Sequence, residues 1–237
     1  MKTFFAIALL LAFSTSCSPG AMDNFLNSLN DGQIGQSKIA QGLKEALRKG
    51  VEKGVQQLAV QNGFYKSPYK ILLPKEAQQV TEKLRFIPGF TNVESIVIEK
   101  INHAAEDAVQ QAKPIFVDAI VNMSISDAMA ILKGGNDAAT SYLVRSTSNS
   151  LYKAFNPIIV ESLNKFGALE YWTNAVTAYN KIPLIKKVNP RLDDYITHKA
   201  MDALFDKVKK EELNIRTNLR ARTTDLLRQV FALQDKS

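Results

Sequence analysis

The chain has 237 residues, of which 46% are hydrophobic, 22% charged and 8% aromatic. Those proportions exclude a disordered polymer, a collagen-like repeat and a disulfide-rich miniprotein. One cysteine excludes an internal disulfide, and 30 Lys and Arg against 23 Asp and Glu leave a net charge of +7.

Residues 1–16 read as a signal peptide. Lys2 supplies the positive start, and Phe4 to Phe13 form an unbroken apolar run. As a helix this run rises only about 15 Å, roughly half of a hydrocarbon core, which is too short for a membrane span. The small residues Ser14-Thr15-Ser16 then lead into Cys17. This junction resembles the lipobox of bacterial lipoproteins in a relaxed form, with Ser14 where leucine is commonest. The expectation is an exported protein, lipidated at Cys17, on the outer membrane and facing the periplasm. Ordinary signal cleavage leaving a free thiol is the alternative. No later stretch approaches the roughly 18 apolar residues of a span. A basic body in that compartment meets anionic lipid rather than nucleic acid.

Residues 17–36 are rich in Ser, Gly, Asn and Asp and read as a tether between Cys17 and a single helical domain over 37–237. Ile39, Leu43, Leu47, Val51, Val55 and Leu58 recur at helical spacing and predict a first helix, stopped by Asn62-Gly63. Residues 64–73 predict a packed loop or a brief strand at Ile71-Leu72-Leu73. Pro74 suits the first turn of a second helix running to Ile87. A long helix over 91–123 follows, divided or kinked at Pro114. Ser124 and Asp127 spell a capping box for a short helix that ends at Gly134-Gly135. The next helix reaches Gly167, interrupted at Pro157, with Leu143, Thr147, Leu151, Ala154 and Ile158 on one face. Residues 168–181 predict a helix, and Ile182 to Pro190 a proline-bounded connector. Leu192, Ile196, Ala200, Ala203, Leu204 and Val208 mark the penultimate helix; Leu226, Leu227, Val230 and Phe231 mark the last. The predicted fold is all-α: one irregular bundle of seven to nine helices, some kinked at prolines.

Several segments together resemble a bacterial family catalogued as domain of unknown function 4197. They are Gly42-Leu43-Lys44-Glu45-Ala46-Leu47, Ile71-Leu72-Leu73-Pro74, Asn102-His103-Ala104-Ala105-Glu106, Asp127 through Gly135, and Asp137-Ala138-Ala139-Thr140. Tyr195-Ile196-Thr197, Leu204-Phe205, Glu211 through Arg216, and Arg222 through Leu227 complete the set. The resemblance covers nearly the whole mature chain and implies an exported helical protein. It brings no established chemistry. The chain carries His103 where the family pattern implies arginine. It carries Asn218-Leu219-Arg220 where the family implies a proline turn, a departure that extends the preceding helix.

His103 and Glu106 offer half a metal site, but a bundle metal site draws its ligands from several helices, so no metal or cofactor is expected. Glu99, Asn102, Glu106, Gln110 and Lys113 read as a solvated polar stripe. No nucleophile elbow, phosphate-binding loop or metalloprotease motif is present. Gly134-Gly135 reads as loop and cap rather than as an anion site. Lys207, Lys209, Lys210, Arg216, Arg220, Arg222 and Arg228 make the C-terminal region basic; this is a solvated face or a surface for anionic head groups, with Arg216, Arg220 and Arg222 as the candidate contacts.

Gly42, Ala46, Gly50 and Gly54 repeat every four residues on the first helix. Each glycine costs that helix roughly 1 kcal/mol relative to alanine. Either a neighbouring helix approaches closely over the stripe, or the stripe floors a groove for a lipid chain. The functional expectation is a non-enzymatic, lipid-anchored periplasmic protein that binds a lipid or other amphiphile between its helices. An envelope protein-interaction scaffold is the alternative, and an enzyme of unknown type comes third.

Overall fold

The computed structural model describes residues 35–84, 91–165, 167–181, 183–184, 186–188 and 191–235. The predicted signal segment, Cys17, nearly all of the predicted tether and the predicted end of the second helix at Ile87 lie outside the described residues. Residues Gln36–Ser237 gather into one compact unit.

Nine α-helices and one 3-10 turn, with no strand, are present among the described residues. They are α1 (Gln36–Leu58), α2 (Lys75–Leu84), α3 (Val93–Val109), α4 (Ala112–Val121), α5 (Ile125–Lys133), α6 (Ala138–Lys165), α7 (Ala168–Asn180), α8 (Leu192–Thr217) and α9 (Asp225–Phe231). The chain folds as an all-α multi-helix bundle. The long helices α6 and α8 pack on each other, with α1 against α8 and α3 against α6. Helices α4, α5 and α9 lean on α1, while α2 and α7 meet at the other side of α3 and α6. Ile39, Phe64, Ile101, Phe116, Leu143, Phe155, Ile196 and Leu204 are fully buried and form the core.

Local chemistry explains most boundaries. Asn62 adopts φ 64°, a left-handed conformation that Asn tolerates. A Cβ on Gly63 would lie 2.4 Å from the Leu58 carbonyl oxygen, so only glycine lets the chain turn there. The Ser124 capping box is present: the Asp127 N–H donates to Ser124 Oγ at 3.1 Å, and the Ser124 N–H to Asp127 Oδ2 at 3.2 Å.

Prolines act differently at two places. The predicted long helix breaks at Gln110–Gln111, four residues ahead of Pro114, which then stands in the first turn of α4. A proline ring opposes the carbonyl four residues before it, so the break falls there rather than at the proline itself. Pro157, expected to interrupt its helix, lies inside an unbroken α6. The buried face of α6 also departs from expectation: after Leu151 it continues through Phe155, Ile159 and Leu163, while Ala154 and Ile158 are only half-buried. A four-residue step overshoots the helical repeat, so the buried stripe winds around α6 as it passes from one neighbour to the next.

The penultimate helix does not extend through Asn218. It stops at Thr217, and Leu219–Ala221 form a 3-10 turn whose Arg220 N–H donates to Asn218 Oδ1 at 3.0 Å. No single described helix is long and apolar enough to cross a membrane.

Candidate functional site

The glycine stripe is occupied by helices. Gly42, Ala46, Gly50 and Gly54 are all buried. A Cβ on Gly42 would lie 2.6 Å from Val230 Cγ2 of α9. One on Gly50 would lie 3.5 Å from Glu211 Cβ, and one on Gly54 3.4 Å from Lys207 Cβ, both on α8. The cavity left beside Leu43, Gly50 and Phe231 measures about 20 Å³, room for one water molecule and not for a lipid chain. Of the two readings of the stripe, the structure takes the close helix contact, and the candidate groove at Gly42, Ala46, Gly50 and Gly54 is filled by α8 and α9.

The family segments converge instead on three buried polar clamps. In the first, Glu106 accepts the backbone N–H groups of Asn62 (3.1 Å), Phe64 (3.0 Å) and Tyr65 (3.1 Å). One turn earlier, Asn102 accepts the Ile71 N–H at 2.7 Å and donates to the Ile71 carbonyl at 2.9 Å. Asn102 therefore stands in for a neighbouring strand, and residues 71–73 form a packed loop. Ala104 and Ala105 between them are fully buried. His103 Nδ1 lies 2.8 Å from the same Glu106 carboxylate, and no three His, Cys, Asp or Glu side chains converge among the described residues. The polar stripe read as solvated is thus divided, with Asn102 and Glu106 buried under the loop they hold.

In the second clamp, Glu212 of α8 accepts the N–H groups of Ala139 and Thr140 at 2.9 and 2.8 Å, and the Thr140 hydroxyl at 2.8 Å. The donors at the start of α6 are thereby taken by a carboxylate from another helix, where the helix dipole favours negative charge. Arg216 pairs with Glu212 at 2.9 Å and donates to the Ile131 carbonyl at 2.9 Å, near the C-terminus of α5. In the third, Arg222 donates to the carbonyls of Ile215 (3.1 Å) and Arg216 (2.8 Å), which end α8, and pairs with Asp235 at 2.6 Å.

These clamps correct two expected head-group contacts. Arg216 is 7% and Arg222 1% exposed, and both guanidinium groups are spent inside the protein. Arg220 is exposed. The rest of the basic face is largely paired: Lys207 donates to Gln57, Lys209 to Asp137, and Lys210 to Asp206 and Tyr69.

A cleft of about 430 Å³ opens elsewhere, between the start of α2, α7, the connector and the start of α8. That volume lies within the usual range for a small-molecule site. Pro74, Val188 and Leu192 give it apolar lining, and Trp172 of α7 contributes a side chain only 4% exposed. The Trp172 indole nitrogen is buried without a hydrogen-bond partner. A buried donor left unpaired costs about 1–3 kcal/mol.

The charged groups around the cleft divide into committed and uncommitted ones. Asp194 accepts the Tyr152 hydroxyl at 2.6 Å, and Arg191 pairs with Asp193 at 3.2 Å. Burial of Asp193 by itself raises its carboxyl pKa, but the hydrogen bonds from Arg191 and Asn156 outweigh it and hold it below the ordinary value. The Tyr195 hydroxyl donates to the Leu72 carbonyl at 3.1 Å. Lys186 and Lys187 are exposed on the rim. None of these residues was a candidate site residue in the sequence; Tyr195 entered it only through a family segment, and Leu72 through a family segment and the predicted loop. The only available signals were the chain's single tryptophan and the Lys186-Lys187 pair in a connector, and neither reveals that they share a wall.

A family model described as a protein of unknown function, DUF4197, matches residues 33–232. No curated protein and no solved structure shows a significant match.

Proposed function

The chain belongs to the DUF4197 family of proteins of unknown function, and from that premise we propose a non-enzymatic, exported domain, anchored through Cys17, that binds a small amphiphile in the Trp172 cleft. The observation that carries this reading is the cleft itself: about 430 Å³, with Pro74, Val188 and Leu192 as apolar lining and Trp172 in its wall. The anchor rests on the apolar run before Cys17 and the tether after it, and it would hold the cleft within reach of membrane-derived molecules.

Mass spectrometry of the protein purified from its native membrane tests both halves together. The expected result is a lipid mass on Cys17 and a co-purifying small molecule, and Cys17→Ala should release the protein from the membrane. Val188→Phe should remove the bound molecule while the circular-dichroism spectrum stays helical. A lipidated protein that carries no small molecule would return the reading to an envelope interaction scaffold. A Cys17→Ala protein that still fractionates with membranes would remove the anchor.

A further inference from the structure

We propose that the connector between α7 and α8 is a membrane-contact loop, whose apolar tip enters an anionic bilayer surface while three lysines hold the head groups. Neither the cleft ligand nor the anchor at Cys17 is needed for that contact. Asn180, the last residue of α7, closes the loop. Its side-chain amide donates to the Val188 carbonyl at 3.0 Å, and its Oδ1 accepts the Val188 N–H at 2.8 Å. Val188 itself is buried, so residues 181–187 are pinned at both ends to the body of the protein. The loop so held exposes Pro183 and Leu184. Leu184 is 107% exposed and takes φ 60°. A bulky side chain is disfavoured on that left-handed backbone, where glycine or asparagine fits at less cost. A leucine there gives the fold neither burial nor a backbone preference. Its side chain is left for a second apolar phase.

Charge selects the phase. In sequence, Ile182-Pro183-Leu184-Ile185 stands between Lys181 and Lys186-Lys187, and no aspartate or glutamate occurs between Glu170 and Asp193. All three lysines are exposed, and none has an ion-pair partner among the described residues. On α8, by contrast, Lys209 and Lys210 are committed to Asp137 and Asp206. Glu76 and Asp194 line the cleft beside Lys186 and Lys187, but Asp194 is engaged with Tyr152 and neither carboxylate pairs with a lysine of the loop. An apolar tip between unpaired cations matches a lipid interface, whose acyl region takes the leucine and whose anionic head groups take the lysines. A stable protein interface buries about 800 Å² a side, which one exposed leucine and one exposed proline do not supply.

Cys17 is the only cysteine, so the full chain with Cys17→Ser and Leu184→Cys carries one thiol, at the loop tip, and no site for an anchor. A nitrobenzoxadiazole label on that thiol brightens and shifts to the blue when it leaves water. Phosphatidylglycerol vesicles should produce this response, with phosphatidylcholine vesicles binding about tenfold more weakly. Adding Lys181→Gln/Lys186→Gln/Lys187→Gln should weaken binding to phosphatidylglycerol roughly a hundredfold, the equivalent of about 1 kcal/mol for each lysine at an anionic surface. In the otherwise unchanged chain, Leu184→Asn should leave the thermal midpoint level or raise it, because asparagine tolerates the left-handed backbone. A label that stays in water with both vesicles would overturn the proposal. Equal binding to the two lipids, or an unaffected lysine variant, would overturn the anionic surface as partner. A lower midpoint for Leu184→Asn would show that the leucine serves the fold, and would overturn the loop's assignment as well. None of these results bears on the cleft ligand or on lipidation of Cys17.

Discussion

Glu106 and Arg216 do the same kind of work at opposite ends of the core, and single substitutions separate that work from ligand contact. Glu106→Gln replaces one carboxylate oxygen by an amino group facing backbone donors. Oε1 accepts Phe64 and Tyr65, and Oε2 accepts Asn62 and faces His103, so neither orientation of the amide satisfies the loop. The expected cost is about 1–3 kcal/mol, read as a lower thermal midpoint. An unchanged midpoint would show that the loop is held by packing alone. Arg216→Met keeps much of the buried stem but strips Glu212 of its partner and leaves the Ile131 carbonyl without its donor. Breaking a buried pair costs about 3–5 kcal/mol. A head-group contact would instead leave the melting curve unchanged and alter only lipid affinity.

Helix α1 carries a gradient of closeness along its glycine stripe, and alanine substitutions should change sign along it. At Gly50 the new methyl meets Glu211 Cβ at 3.5 Å, an ordinary contact. Gly50→Ala should therefore stabilise by up to about 1 kcal/mol through helix propensity. At Gly42 the methyl would meet Val230 Cγ2 at 2.6 Å, and a β-branched side chain has little freedom to move aside. Gly42→Ala should destabilise by about 1–3 kcal/mol, the usual cost of overpacking. Chemical-denaturation midpoints of the two variants give the comparison. Equal shifts in one direction would mean that α9 does not seat on α1 as described. The same logic explains the capping of α6: Asn136 and Asp137 precede it, yet Glu212 from α8 takes its donors, because α8 already lies across its start.

For the whole molecule, the acid side of the stability profile follows from carboxylates held below their ordinary pKa. The hydrogen bond from Ser124 lowers Asp127, that from Lys209 lowers Asp137, and that from Arg222 lowers Asp235. A group with a depressed folded pKa stabilises fully above its unfolded value, near 3.8 for these aspartates, and loses that contribution as pH falls through the folded value. The thermal midpoint should therefore stay level from pH 7 to about 5 and drop below about pH 4. On the alkaline side Lys209 and Lys210 are raised by hydrogen bonds to Asp137 and Asp206, so their contribution persists through neutral pH and is lost only above the ordinary lysine value of 10.5. A midpoint already falling between pH 7 and 5 would contradict this assignment.

The sequence by itself determined the helices and most of their ends. Apolar spacing, Asn62-Gly63, the Ser124 capping box and the basic and acidic caps act over a few residues, so they are legible locally. The all-α class and the family segments followed from the same short-range information. Tertiary structure decided which polar residues were buried. Asn102 and Glu106 share a helical face with Glu99 and Gln110 and look like solvated neighbours until a loop some forty residues earlier folds over them. Arg216 and Arg222 look like surface charge until α5, the end of α8 and Asp235 surround them. The glycine stripe admitted two meanings because a smooth helix face fits a ligand or another helix equally well, and only the docking of α8 and α9 chose between them. Trp172, Lys186 and Arg191 likewise acquire a common wall only when α7, the connector and α8 meet. Long-range contact assigns these roles because burial and electrostatic partnership belong to the assembled surface, and no window of the chain contains both sides of it.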